Sequence, residues 1–178
     1  MKRYVLDTRA ATMWFLHLRK SNVDRLAAKD LYDRARHGRI QLIEPPIWQT
    51  DVAATVTRLQ PTQALKLISA LTRIDAKIDD EYDVLRRAAK LAIELEHRLF
   101  DTIYHAVALK HSITLITANA GYYRKARHLG NIMLLRDWPI RKQVHEHAAK
   151  HVIRKLTRPS RLHKKHRIRA RDCVIVGA

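Results

Sequence analysis

Asp7, Asp51 and Asp101, with Asn119, are the side chains in this sequence best suited to chemistry, because each stands beside an apolar segment that would be buried. Carboxylates gathered at one point repel one another and raise each other's pKa unless a cation compensates. Hard oxygen donors of this kind suit Mg2+ or Mn2+, ions that also take phosphate oxygens and activate water. Each residue has a simpler reading when taken alone. Asp7 fits a turn or helix N-cap after Tyr4-Val5-Leu6, Asp101 fits a cap for Thr102 onward, and Asn119 fits a turn beside Gly121. Asp51 resists such a reading. Its neighbours Val52, Ala53 and Ala54 are apolar, so an acid among them should be paired or metal-bound.

The elements that would carry these residues follow from hydrophobic spacing. Short apolar runs at Tyr4–Leu6, Ile40–Ile43, Ile113–Ile116 and Ile132–Leu135 predict strands, and the alternation of Ile74, Ala76 and Ile78 within 73–79 suggests a strand or an extended connector. Helical spacing covers 10–20, Val23 or Asp24 to Gly38, a segment opened by Pro45-Pro46, a segment restarted by Pro61, about Glu81 to Leu99, Asp101 onward, and about 121–128. Four-residue strands alternating with longer helices predict an α/β fold, a three-layer α/β/α sandwich around a short, mostly parallel central sheet. In such a sheet ligands bind beyond the carboxyl ends of the strands. That edge is where Asp7 and Asn119 fall, with Asp101 expected beside Asp7.

Several further groups lie near these acids. Arg9, Arg124, Lys125 and Arg127 suit phosphate contact or plain solvation. Tyr122 and Tyr123 suit stacking on bases or packing within a helix face. His105, four residues after Asp101, is expected to hydrogen-bond with it.

The chain carries 35 Lys and Arg against 17 Asp and Glu, a formal charge of +18. A surplus of that size favours a polyanion or an acidic protein partner. Residues 139–178 contribute 12 of those basic residues and only 2 of the acids, along with His145, His147, His151, His163 and His166. We therefore divide the chain into a domain at 1–138 and a basic, histidine-rich C-terminal extension at 139–178, partly helical or disordered, that would serve as a salt-sensitive RNA-binding arm. The pair His147 and His151 has zinc-ligand spacing, but no cysteine partner or HExxH accompanies it. Cys173 is the single cysteine, which excludes an internal disulfide and fits a reducing compartment. The start, Met-Lys-Arg before a three-residue apolar run, predicts no secretory signal, and no apolar stretch is long enough to cross a bilayer. A cytoplasmic location and no membrane partner are the expectation.

The stretches YVLDT at 4–8, PPIWQTDVAATVTRL at 45–59, FDTIYHAVALKHSITLITAN at 100–119 and NIMLL at 131–135 resemble the PIN-domain nucleases, and among them the VapC-type ribonuclease toxins. The resemblance spans residues 3–136. It implies a Mg2+-dependent endoribonuclease, a hydrolase acting on RNA phosphodiesters as the toxin of a toxin–antitoxin pair, with a cognate antitoxin protein and a homodimer as partners. It assigns Asp7, Asp51 and Asp101 as metal ligands, Asp51 standing where glutamate is usual. It gives Thr8 and Thr117 the task of orienting water or an acid. Asn119 stands where many relatives carry a fourth aspartate, and the residue three positions later is Tyr122 rather than an acid. That departure leaves an alternative: a catalytically weak or inactive PIN-like protein that binds RNA.

Overall fold

The central strand of the sheet is β1 (Lys2–Leu6), flanked by β2 (Ile40–Glu44) on one side and β4 (Thr114–Thr117) on the other. Strand β3 (Ala76–Ile78) extends the first side and β5 (Ile132–Leu134) the second, giving the order β3-β2-β1-β4-β5. All four pairings are parallel. Parallel neighbours need crossover connections, and these are the helices. In this computed structural model the described residues are 1–15 and 22–140, within one of two compact units, Met1–Arg141. Of the helix expected over 10–20, the described part is helical only to Thr12 and turns at 13–15, and residues 16–20, the basic extension from residue 141 and its histidine pairs lie outside the described residues.

The helices are α1 (Thr8–Thr12), α2 (Asn22–Arg36), α3 (Trp48–Leu59), α4 (Ala64–Leu71), α5 (Tyr82–Glu94), α6 (Leu99–Lys110) and α7 (Ala120–Ala126). Helix α6 is buried from Thr102 through Ala108 and packs across β1, β2 and β4. Val5, Leu6, Leu115 and Ile116 are fully buried in the two middle strands, as expected of a sheet covered on both faces. The architecture is a three-layer α/β/α sandwich of PIN-like type.

Two helix ends have clear local causes. Gly38, at φ 62°, ends α2 in the left-handed turn that glycine adopts without a Cβ penalty, and the amide of Arg39 closes on the Arg34 carbonyl at 2.8 Å. The helix expected over 81–99 is broken instead. Glu96 takes φ 46°, the amide of His97 returns to the Ala92 carbonyl at 2.9 Å, and α6 starts afresh at Leu99.

The chain builds β1, β2 and β3 outward on one side and then crosses back to add β4 and β5 on the other. The strand order therefore reverses between β1 and β4, and the crevice beyond their carboxyl ends is the place where ligands bind in open α/β sheets. Asp7 follows β1 directly and Asn119 lies two residues past β4. The amide of Asp7 is held by the Ile116 carbonyl at 3.1 Å, which ties the two strand ends together.

Candidate carboxylate site

Asp7 is the N-cap of α1. Its Oδ1 accepts the Ala10 amide at 2.7 Å, and its Oδ2 accepts the Thr117 hydroxyl from the end of β4. The same threonine oxygen receives the Asn119 amide at 2.9 Å. Asn119 in turn caps α7, its Oδ1 accepting the Tyr122 amide at 3.2 Å. Burial pushes the Asp7 carboxyl up to about 6, and the charge of Asp101 adds to that, against the opposing hydrogen bonds from Thr117 and Ala10.

Asp51 sits in the first turn of α3 and is paired, as its apolar neighbours require. The Thr8 hydroxyl donates to its Oδ2, and the Tyr104 hydroxyl reaches the same oxygen at 3.3 Å and Thr8 at 2.8 Å. The threonine has spent its single proton on Asp51, so the single tyrosine proton is shared between Thr8 Oγ1 and Asp51 Oδ2. Burial raises the Tyr104 phenol well above its usual range, with the negative charges nearby acting in the same direction. It remains a neutral donor at physiological pH.

Asp101 lies in the first turn of α6 but makes no cap bond. Its Oδ2 takes His97 Nε2 at 2.9 Å and the Arg98 guanidinium at 3.1 Å. His105 is not its partner, contrary to expectation. That ring is fully buried and bonds to the Tyr122 hydroxyl at 3.0 Å and the Gly130 carbonyl at 2.8 Å. Tyr122 is buried with it and has no face for a base, whereas Tyr123 is half-buried. The Lys125 ammonium satisfies the carbonyls of Leu95 and Glu96, at 3.0 and 3.1 Å, where α5 ends. Arg124 and Arg127 are exposed.

Asp51 and Asp101 line one open groove of about 510 Å3, together with Thr8, Arg9, Arg58, Arg98 and Phe100. Asp7 is not part of its wall. Each aspartate is thus satisfied by its own neighbours, and among the described residues no three His, Cys, Asp or Glu side chains are arranged to hold a metal ion. The donors have the hard oxygen chemistry expected for Mg2+, but the arrangement does not fit a resident ion.

The same fold occurs in a Klebsiella pneumoniae chain from a toxin–antitoxin complex, with a TM-score of 0.54 at 19% identity, over 74% of this chain and 97% of that one. It occurs again in a chain of VapBC2 from Rickettsia felis, crystallised with a DNA fragment from its promoter, with a TM-score of 0.52 at 15% identity, over 74% and 96% of the two chains. The chain has a PIN-like fold. No family model matches the sequence, and no curated protein does either. At these identities the likeness concerns architecture alone.

One acid of the PIN-like edge has no counterpart among the residues expected from sequence. Glu44 ends β2 with its side chain fully buried; Oε1 accepts the Leu6 amide at 2.9 Å, and Oε2 has no hydrogen-bond partner among the described residues. Burial holds this carboxyl well above the usual range, and the nearby Asp7 adds to the effect. The Glu44 side chain takes the place of a ladder carbonyl for the residue just before Asp7, and so fixes where β1 ends. Its signal in the sequence is the one that marked Asp7, an acid directly after an apolar strand. Glu44→Ala would strand a buried amide, which costs about 1–3 kcal/mol, and would add a cavity. Glu44→Gln keeps an acceptor for Leu6 and is expected to retain most of that stability in urea denaturation.

Proposed function

We propose that the chain is a PIN-like RNA-binding protein whose carboxylate site is catalytically weak or silent. The observation that carries this reading is the separate satisfaction of Asp7, Asp51 and Asp101 by Thr117, by Thr8 with Tyr104, and by His97 with Arg98. Bringing the three carboxylates onto one ion would require desolvating their charges together, and Asp101 already has a counter-charge in Arg98. The missing fourth acid at Asn119 and the formal charge of +18 support binding over cutting. Arg9, Arg58 and Arg98 in the groove wall supply phosphate partners beside the acids.

A second reading is the Mg2+-dependent endoribonuclease, or Mn2+-dependent, that acts as a toxin and is covered by a cognate antitoxin, the protein forming a homodimer. One observation favours it: the Asp7 carboxyl, raised by burial and by Asp101, has no ion-pair partner among the described residues, and a hard cation would provide that counter-charge. Asp7, Asp51 and Asp101 would then be the ligands, with Asn119 and Thr117 orienting water or substrate. Among the described residues no helix is long and apolar enough to cross a membrane.

Full-length protein titrated with labelled single-stranded RNA, with and without Mg2+ or Mn2+, separates the two readings. The first expects binding that weakens steeply with salt and no metal-dependent cleavage. Cleavage that requires the metal and vanishes in Asp7→Asn, with binding retained, would establish the second instead. Removing 141–178 is expected to flatten the dependence of log affinity on log salt by several units, because each neutralised phosphate contributes about 0.7 to that slope on a single strand. An unchanged slope would deny the extension any role as a binding arm.

A further inference from the structure

We infer that Phe100 is a nucleobase platform at the mouth of the groove, so that RNA is engaged there as an unpaired strand. The inference rests on the RNA-binding reading and adds to it a specificity residue. Phe100 is the second residue of α6, one before Asp101, and its side chain is left 61% exposed on the groove wall. An isolated exposed phenylalanine is ordinary on a surface. This one shares its groove with three arginines: Arg9 from α1, Arg58 from α3 and Arg98 from the turn before α6. Among the described residues no other aromatic ring lies against it, whereas Trp14, Phe15, Tyr32 and Trp48 are engaged with one another.

A flat apolar ring beside exposed cations matches the two parts of a nucleotide. The base stacks on the ring while its phosphate meets a guanidinium, and stacking tolerates any base because every base offers a π face. A duplex keeps its bases stacked on each other and presents only backbone, so it gains the arginines but not the ring. Charge complementarity favours a nucleic acid over an apolar peptide as occupant, since the groove carries three guanidiniums against Asp51 and Asp101, and Arg98 is paired to only one of those acids.

The test uses the full chain, a short single-stranded RNA carrying one 2-aminopurine, and the duplex of the same sequence. Stacking on a protein ring changes 2-aminopurine emission, a signature that electrostatic attachment through the basic extension does not give. Wild type is expected to shift the emission of the single strand. Phe100→Ala should abolish that shift and weaken single-strand binding about tenfold, within the range of base–aromatic stacking, with duplex binding unchanged. Phe100→Trp should restore both. The side chain is mostly exposed, so the alanine variant should fold normally. Equal loss on single strand and duplex would overturn the inference, and so would an unchanged shift, which would assign the ring to a protein partner. No RNA binding by wild type would overturn the RNA-binding reading along with it.

Discussion

Asp7→Asn is expected to raise the unfolding midpoint of the metal-free protein near pH 7 and to leave it almost unchanged near pH 4. The Asp7 carboxyl is pushed from 3.8 up to about 6, chiefly by burial. Its protonated form is therefore the one the fold prefers. The stability tied to that proton is fully present below the unfolded value and is lost as pH rises through about 6. A shift of about two units corresponds to about 3 kcal/mol above that range. Asparagine imitates the neutral acid: its oxygen accepts the Ala10 amide, and its amide faces the Thr117 hydroxyl, which can turn to accept. Bonds that favour the charged carboxylate are weakened, so the gain should be about 1–3 kcal/mol.

Thermal unfolding of both proteins across this pH span, with and without Mn2+, reads the result. A gap that opens with pH and ignores the metal supports an acid kept as a structural N-cap. Should Mn2+ stabilise wild type alone and close the gap, the ionised carboxylate would be a ligand, and the nuclease reading would gain the support it lacks. A variant less stable at every pH would show that the hydrogen bonds outweigh the desolvation.

The sequence made the strands easy to read because they are short apolar runs, and even the weak alternation at 73–79 became β3 at Ala76–Ile78. The break between α5 and α6 was hidden. It uses Glu96 at positive φ, where a glycine would have announced the stop. That Asp7 and Asn119 lie at the carboxyl edge of the sheet is legible from the apolar runs before them, and the place of Thr117 from the resemblance. Their pairing is not, and neither is that of the other acids. Asp51 is satisfied by Thr8 and Tyr104, which lie 43 and 53 residues away, and no local pattern encodes such contacts. The bond expected between Asp101 and His105 was plausible by helical spacing. The inward face of α6 buries His105 instead, while His97 arrives from the preceding turn. Pattern thus located the acids, and partners distant in sequence supply the contacts that spacing does not encode.

Trp138→Ala should cost about 3–5 kcal/mol, the range for removing a large buried aromatic. The ring is buried, lies edge-on to Tyr4 of β1 at 5.1 Å and carries the Arg34 guanidinium over its face at 5.0 Å. Its Nε1–H donates to Asp30 at 2.7 Å, and Arg34 joins the group through an ion pair with Asp30 at 2.7 Å and a bond to the Pro139 carbonyl at 2.9 Å. Losing the indole would remove packing and also take a donor from a buried carboxylate. Trp138→Phe, which keeps a ring but not the donor, should cost about 1–2 kcal/mol. Chains ending at Ile140 and at Asp137 sharpen the test, since only the second loses the anchor. Urea denaturation should find the longer one as stable as the full chain and the shorter one destabilised by several kcal/mol. Equal stability of the two would mean that the tryptophan makes no net contribution and does not hold α2 to β1. The comparison also bears on function, because β1 ends at Asp7. Weaker RNA binding by the chain ending at Ile140 reports on the basic extension, whereas a further loss in the chain ending at Asp137, which lacks that extension too, reports on a sheet that no longer positions its edge.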